Sequence, residues 1–254
     1  MVLKGVIDSG ILTPHLGGIV REIETAGFVW VRSFTTPDIA GLLASSCGAG
    51  LEKGLFARRR PGVYDIRGAL PHLDDLHAWV DGVQHGEAVS LLTGPRPRLI
   101  KAAFYDKRRD GVWSLPWHQD TSVCVRAKRD VAGFDPWTER DGRFYAGAPA
   151  GVLERIVTVR LHLDRCLLED GAMEVVPGSH CAGRRDPRIC IETGERAESY
   201  RCLAAVGDAL LMRPLLIHRS PAVKGGGPRR VIHLEFTSQE LPGGLCWWEP
   251  PASG

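Results

Sequence analysis

The sequence lacks a long hydrophobic run and an excess of either charge. No stretch approaches the roughly 18 consecutive apolar residues that read as a membrane-spanning helix. The N-terminal apolar run is too short for a signal peptide and is interrupted by Asp8. The 32 basic and 30 acidic side chains nearly cancel, so the overall charge does not favour nucleic acid or an anionic membrane. We expect a cytoplasmic protein whose partner is a small molecule, with no nucleic-acid or membrane partner.

Cysteine pairs are also absent. The seven cysteines are odd in number, and none are spaced as Cys-x-x-Cys, which argues against a disulfide framework and against a zinc ribbon. We expect reduced thiols that mostly fill the core. The chain of 254 residues is long enough for one large core, and we expect a single domain over residues 1–254.

Hydrophobic periodicity divides the chain into two parts. Residues 1–98 are predicted to be mainly helical, with helices from Thr13 to Gly27, from Thr36 or Pro37 onward and across residues 73–83, and with a strand at residues 28–34. Residues 99–240 contain short β-rich runs separated by Gly and Pro, which predicts a sandwich or jelly roll. The predicted class is therefore mainly β with flanking helices (α+β). The expected later strands are residues 100–105, 121–125, 155–163, 173–176, 209–217 and 230–236.

A polar, glycine-rich insert at about residues 126–152 interrupts the predicted strands. A loop of this length inside a compact domain is usually a lid or a binding loop. Its aromatic side chains are costly to leave in water, which favours an ordered cover: Phe134, Trp137, Phe144 and Tyr145. A mobile surface insertion without a role is the alternative.

Two histidines and one aspartate form a candidate metal site. His118 and Asp120 are two positions apart, so on an extended strand both side chains leave the same face. This short pattern is weak by itself, but His218 closes the apolar run at residues 209–217, where a buried strand would reach the mouth of a barrel. Two histidines and a carboxylate are the facial triad of non-haem Fe(II), whereas a closed zinc site needs a fourth protein ligand. Structural roles are expected for His162, His180 and His233.

A candidate anion-binding group follows His218. A turn-rich segment leads into an alternating strand that starts at Arg229, which predicts a hairpin. An antiparallel return would bring Arg229 beside His218, where its guanidinium could hold a dicarboxylate. Ser220 could add a hydroxyl to the same carboxylate. Arg230 should point to the opposite face, as a solvated charge.

These motifs together carry a family resemblance. They are residues 117–120 (WHQD), 158–164 (TVRLHLD), 169–180 (EDGAMEVVPGSH) and 207–212 (GDALLM), and the eleven-residue spacing from His218 to Arg229. The set resembles the phytanoyl-CoA dioxygenase family of Fe(II)/2-oxoglutarate-dependent oxygenases over the C-terminal two thirds of the chain. Asp170 stands where the family usually has Asn before Gly, and the long insert belongs to a subgroup whose substrates the sequence does not identify.

The resemblance implies a double-stranded β-helix (jelly roll, cupin-like) core. It implies that His118, Asp120 and His218 bind iron and that Arg229 and Ser220 anchor the far carboxylate of 2-oxoglutarate. Further candidate cofactor contacts are Thr158 and Gln119.

The implied reaction is oxidation, most simply hydroxylation, of a C–H bond of a small organic substrate. It uses molecular oxygen and converts 2-oxoglutarate to succinate and CO2. Desaturation and ring closure stay open, whereas Asp120 disfavours halogenation because it fills the position that is vacant in related halogenases. A non-catalytic jelly-roll module that binds a metal or sugar is the main alternative. A cupin-type hydrolase or isomerase is less consistent with the sequence, which lacks the cupin His-x-His pattern followed by Glu.

Basic residues in the insert are the only indication of the substrate's chemistry that the sequence offers. They permit a carboxylate-bearing small molecule, while a solvated charged loop explains them equally well. The residues are Arg126, Lys128, Arg129, Arg140 and Arg143, with Arg160 on the strand behind them.

Overall fold

The computed structural model describes residues 16–107, 113–224 and 228–249. Within these ranges the α-helices are α1 Leu16–Thr25, α2 Pro37–Glu52, α3 Asp74–Gln84, α4 Glu87–Thr93, α5 Ala150–Leu153 and α6 Pro187–Arg196. Short 3-10 helices lie at Arg67–His72 and Ser179–Ala182. The strands are β1 Phe28–Val31, β2 Ala57–Arg60, β3 Val63–Asp65, β4 Arg98–Asp106, β5 Leu115–His118, β6 Ser122–Val125, β7 Trp137–Arg140, β8 Arg143–Gly147, β9 Val157–His162, β10 Glu174–Val175, β11 Tyr200–Arg201, β12 Ala209–Met212, β13 His218–Ser220 and β14 Arg230–Thr237.

The strands form three antiparallel sheets. The major sheet has the order β1-β12-β9-β14-β4-β3-β2, and the minor sheet has the order β11-β10-β13-β5. A third sheet, β6-β8-β7, is built from part of the predicted insert and the strand before it. Side chains from the major and minor sheets line one common cavity. The prediction of a mainly β fold with flanking helices is confirmed.

The N-terminal helices pack on the major sheet. One hydrophobic cluster joins buried residues of α1, α2, α3 and α4 to residues of β4, β9, β12 and β14. Helix α2 begins where Thr36 Oγ1 accepts a hydrogen bond from the Ile39 amide (3.3 Å), with Pro37 at the first helical position. The three predicted helices are confirmed, although the predicted start of α1 at Thr13 lies outside the described residues.

The apolar run at residues 209–217 is not the single strand that was predicted. Strand β12 ends at Met212, and the chain turns at Arg213 and Pro214, where the Leu216 amide donates to the Arg213 carbonyl (3.0 Å). Proline has no backbone N–H and cannot continue a sheet ladder, so it marks the break. The chain thereby leaves the major sheet, and His218 begins β13 in the minor sheet.

The predicted hairpin after His218 is also wrong. Strand β13 pairs with β10 and β5, whereas β14 pairs with β4 and β9. The segment between them therefore connects the two main sheets and does not fold one strand back on the other. Residues 225–227 of this connection lie outside the described residues.

The insert at residues 126–152 contains regular structure where a loop was predicted. Strands β7 and β8 pair antiparallel, from Trp137 opposite Ala146 to Arg140 opposite Arg143, and β8 also pairs with β6. Phe134 is buried with other apolar residues of this part of the chain. Alternation over these strands is short and interrupted by charges, which is why the sequence pattern missed them.

The seven cysteines are free, and four of them are buried. No helix in the described part of the chain is long and apolar enough to cross a membrane.

Candidate metal and co-substrate site

A cavity of about 400 Å³ lies between the two main sheets. Its wall includes His118, Asp120, His218, Ser220 and Arg229. The structure therefore brings together five of the seven residues that the sequence singled out for metal or co-substrate binding.

The three candidate metal ligands converge because their strands are neighbours. His118 ends β5 and lies directly opposite His218, the first residue of β13, with ring centroids 4.2 Å apart. Asp120 follows β5, and its Oδ2 lies 3.7 Å from His218 Nε2. One ligand atom from each residue lies within 4.8 Å of the other two, which suits a single metal ion.

Hydrogen bonds orient both imidazole rings for metal binding. His118 Nδ1 lies 2.7 Å from the Pro116 carbonyl oxygen, and His218 Nδ1 lies 2.8 Å from the Leu216 carbonyl oxygen. A carbonyl oxygen can only accept, so each Nδ1 carries a proton, and Nε2 is the ring nitrogen that would bind a metal. Metal-binding histidines typically donate their second ring nitrogen in this way.

The electrostatics favour an anionic Asp120 and a neutral His218. Burial alone would raise the pKa of Asp120, but the Lys101 ammonium and then the two imidazoles lower it well below its usual range. Burial, followed by the neighbouring His118, lowers the pKa of His218 to about 3. The Asp120 amide also donates to the Pro214 carbonyl (2.9 Å), which fixes the backbone beside the carboxylate. The donor set of two imidazoles and one carboxylate thus matches the facial triad of Fe(II).

A second group of residues forms an anion-binding corner of the cavity. Arg229 is 4% exposed, and its Nη1 donates to the Gly171 carbonyl (2.6 Å) and to Ser220 Oγ (3.3 Å). Lys107 is 1% exposed, and its Nζ contacts Ser220 Oγ (3.0 Å) and the Pro221 carbonyl. Among the described residues neither cation forms an ion pair with a carboxylate, and Arg229 Nε is buried without a partner. Two buried cations that converge on one hydroxyl make a site for an oxyanion.

The other two predicted contacts lie outside the cavity wall. Thr158 lies on β9 opposite Glu235 and is fully buried, and its hydroxyl has no partner in the described structure. Gln119 donates to the Gly183 and Leu215 carbonyls (2.9 and 2.7 Å) and accepts from the Arg185 amide (2.8 Å). These contacts favour a structural role for Gln119, and its predicted contact with the co-substrate stays untested, as does that of Thr158.

Arg230 points away from the cavity, as expected, but it is not a free solvated charge. Its Nη2 and Nε donate to the two carboxylate oxygens of Asp164 (2.7 and 2.9 Å). This bidentate pair holds the start of β14 against the end of β9.

The sequence did not predict several of the cationic side chains that line the cavity. Lys107 follows a predicted strand and carried no motif signal. Arg160 was assigned to the strand behind the insert, but it is 8% exposed and its Nη1 donates to His233 Nδ1 (2.9 Å). Among the basic residues of the insert, Arg140 lines the cavity. The exposed members of that group are Arg126, Lys128, Arg129 and Arg140 itself.

Comparison with known proteins identifies the family. A sequence model described as phytanoyl-CoA dioxygenase (PhyH) matches residues 73–231. No curated protein sequence matches the chain.

Solved structures share the fold at low sequence identity. SnoK, a non-heme alpha ketoglutarate dependent carbocyclase from nogalamycin biosynthesis, is 17% identical with a TM-score of 0.66, over 93% of this chain and 88% of that chain. The epimerase SnoN, in complex with Fe3+, alpha ketoglutarate and nogalamycin RO, is 16% identical with a TM-score of 0.66, over 95% and 96%. HygX from Streptomyces hygroscopicus, with nickel and 2-oxoglutarate bound, is 20% identical with a TM-score of 0.60, over 91% and 89%.

These similarities confirm the predicted double-stranded β-helix fold. Because the family match spans more than half of the sequence, the chain belongs to the phytanoyl-CoA dioxygenase family.

Proposed function

We propose that this protein is an Fe(II)/2-oxoglutarate-dependent oxygenase that hydroxylates a C–H bond of a small organic substrate. The observation that carries the proposal is the pair of sites in one cavity. His118, Asp120 and His218 present ligand atoms within 4.8 Å of one another, and a buried Arg229 without an ion pair in the described structure lines the same wall. Family membership and the metal and 2-oxoglutarate bound in SnoN and HygX support the same conclusion.

The residues present fit iron and its co-substrate. His118 and His218 would each bind through Nε2, because each Nδ1 is held by a backbone carbonyl. Asp120 would supply the only anionic ligand, and three coordination positions would be left open. Bound iron and 2-oxoglutarate supply the oxidising chemistry, in which O2 is consumed and 2-oxoglutarate is converted to succinate and CO2. The protein contributes orientation and exclusion of water.

Arg229 would hold the far carboxylate of 2-oxoglutarate. Its guanidinium is fixed through Nη1, while Nε is still free to donate. Ser220 and Lys107 converge on the same point and would complete the contact. A guanidinium that is already oriented and desolvated recognises a carboxylate with high geometric specificity.

The reaction outcome separates the candidate functions. Hydroxylation adds one oxygen atom to the substrate, whereas ring closure removes two hydrogen atoms and epimerisation leaves the mass unchanged. SnoK and SnoN are described as a carbocyclase and an epimerase, so these outcomes are the nearest catalytic alternatives. A non-catalytic jelly-roll module would bind the metal without converting 2-oxoglutarate.

Succinate release is the direct test. Wild-type protein with Fe(II), 2-oxoglutarate, O2 and ascorbate, which supplies the two electrons that reduce the second oxygen atom in the absence of substrate, should form succinate, and omission of iron or O2 should stop the reaction. Asp120→Ala should bind iron more weakly and form no succinate, since only two neutral imidazoles would hold the cation. Full iron occupancy and activity in this variant, without added halide, would show that the ligand assignment is wrong. Metal binding by the wild type without any succinate would favour the non-catalytic module.

A further inference from the structure

The cavity has a second cationic region, which the proposed function does not use. We call it the Arg67 pocket, and it is formed by the part of the cavity wall that contains Arg59, Asp65, Arg67, Arg140 and Tyr145. Its centre is a buried arginine, Arg67, that lies among other arginines and one half-buried carboxylate, that of Asp65. This imbalance indicates that an anion is needed to complete the pocket.

Arg67 is held rigidly but has no ion pair. It is 5% exposed, and its Nη1 donates to the Ile100 carbonyl. Its guanidinium carbon lies 4.2 Å from the centroid of the Trp248 ring, so the indole supports one face of the group. In the described structure no carboxylate lies within ion-pair distance of this guanidinium. A rigid, desolvated and uncompensated guanidinium is well suited to bind an oxyanion.

The half-buried carboxylate of the pocket already pairs with two other arginines. Asp65 Oδ2 accepts from Arg59 Nη2 (2.6 Å) and from Arg143 Nη1 (2.7 Å), while Asp65 Oδ1 accepts from the Arg67 backbone amide (3.0 Å). Asp141 also pairs with Arg59 (3.2 Å), but its side chain is 61% exposed and therefore largely solvated. Asp65 thus accepts from the guanidinium groups of Arg59 and Arg143, and the Arg67 guanidinium makes no such contact with it.

The pocket is separate from the proposed co-substrate contact. Arg67 is bonded to Ile100 near one end of β4, and Lys107 directly follows the other end. Seven residues of extended chain place these backbone positions about 23 Å apart. The strongest charge interactions of Arg67 involve Asp65, Cys124, Arg143 and Tyr145, whereas those of Lys107 involve Arg60, Arg160, Cys166 and Arg229. An anion held by Arg229 would therefore leave Arg67 uncompensated.

We infer that the Arg67 pocket binds an anionic group of the substrate, a carboxylate or a phosphate, and that the substrate is a small organic anion. This inference rests on the proposed function, because it assumes that the opposite corner holds 2-oxoglutarate. Both corners and the metal ligands line one cavity, so an anion anchored at Arg67 can present a C–H bond toward His118, Asp120 and His218.

The test is binding to protein loaded with Ni2+ and saturated with 2-oxoglutarate. Nickel replaces iron so that no turnover occurs, and binding of 2-oxoglutarate is measured first by calorimetry. Failure of 2-oxoglutarate to bind would refute the proposed function and the role of the Arg67 pocket as a substrate site, whereas anion binding at Arg67 is tested separately by the titrations and variants below. Benzoate, phenyl phosphate and the neutral analogue benzamide are then titrated and followed by saturation-transfer NMR. At least one of the two anions should bind about tenfold or more tightly than benzamide.

Variants locate the anion. Arg67→Gln keeps a hydrogen-bond donor but loses the charge, and it should weaken anion binding by about tenfold or more while 2-oxoglutarate still binds. Arg67→Lys should recover part of the affinity, because an ammonium keeps the charge without the planar fork.

Arg213→Gln is the matched control. Arg213 also donates to backbone carbonyls, those of Leu92 and Ile156, but it does not line the cavity. It should bind the anions as the wild type does. Equal binding of anions and benzamide, or unchanged anion binding in a folded Arg67→Gln variant, would overturn the inference.

Discussion

Replacement of Arg229 should separate co-substrate recognition from metal binding. Arg229→Ala removes a guanidinium that is 4% exposed and contacts Gly171 and Ser220. Bound 2-oxoglutarate would then place its far carboxylate in a desolvated corner that has lost its bidentate partner. The metal ligands do not contact this side chain, so metal affinity should stay close to that of the wild type.

The magnitude follows from the cost of breaking a buried ion pair. Removal of one partner from such a pair costs about 3 kcal/mol or more, which corresponds to roughly a hundredfold in affinity. Lys107 contacts the same hydroxyl as Arg229 and would still offer a charge, so the loss should lie near this lower value. Arg229→Lys should recover only part of the affinity, since an ammonium lacks the planar fork.

Calorimetric titration of 2-oxoglutarate into the nickel-loaded variants measures the effect. Arg230→Ala is the neighbouring control, because Arg230 pairs with Asp164 and does not line the cavity. Its 2-oxoglutarate affinity should match that of the wild type. A large loss in Arg230→Ala with none in Arg229→Ala would refute the assignment of Arg229, and not Arg230, to the co-substrate site.

Three further predictions concern other parts of the cavity and its support. Burial, and then the Arg229 charge, lowers the pKa of Lys107 to about 7. Above that pH the Lys107 amine is mostly neutral, so binding of 2-oxoglutarate to its charged form must be accompanied by protonation of Lys107. Its affinity should fall as pH rises above about 7, and Lys107→Met should flatten this dependence in pH-resolved calorimetry. The β7–β8 hairpin contributes Arg140 and Tyr145 to the wall, so its amides should exchange more slowly when co-substrate and substrate bind, and equal exchange with and without them would contradict a lid. A methyl group on Gly194 would overlap the Trp117 indole next to His118, so Gly194→Ala should lower both the melting temperature and the nickel affinity, whereas Gly48→Ala, which has open space inside helix α2, should lower neither.

The candidate metal ligands were predictable from the sequence because they depend on local geometry. The two-residue spacing of His118 and Asp120 fixes their common face in any extended backbone. The register of β5 and β13 then places His218 opposite His118, and the sequence indicated this only through the apolar run before His218. Residues 209–217 were wrongly predicted as one strand, but this does not affect the position of His218. The chain turns at Pro214 and passes from the major sheet to the minor sheet, and the end of the run still lies at the cavity.

Arg229 reached the predicted place by a different route. The hairpin that was expected to return it beside His218 does not exist, because β13 and β14 belong to different sheets. The two strands lie on opposite walls of the cavity, and Arg229 Nη1 contacts Ser220 Oγ across it (3.3 Å). The spacing alone could not distinguish these two topologies, since both bring the same side chains together.

The cations of the Arg67 pocket could not be predicted, because their burial depends on contacts distant in sequence. Arg59 belongs to the run Arg58-Arg59-Arg60, which by itself predicts a solvated strand end. It is drawn inward by Asp65 and by Tyr145, which follows it by 86 residues. Arg67 likewise depends on Trp248, near the other end of the chain. Such pairings are set by the sheet topology and leave no periodic signal.

The two cationic corners have a shared thermodynamic consequence. Each keeps at least one buried cation without an ion pair in the described structure, and an uncompensated buried charge lowers the stability of the folded state. An anion that binds only the folded protein raises its free energy of unfolding by RT ln(1 + [L]/Kd). Anion binding at either corner should therefore stabilise the folded protein. Because the corners share no strong charge interaction, the stabilisation by 2-oxoglutarate at Arg229 and by a second anion at Arg67 should be nearly additive.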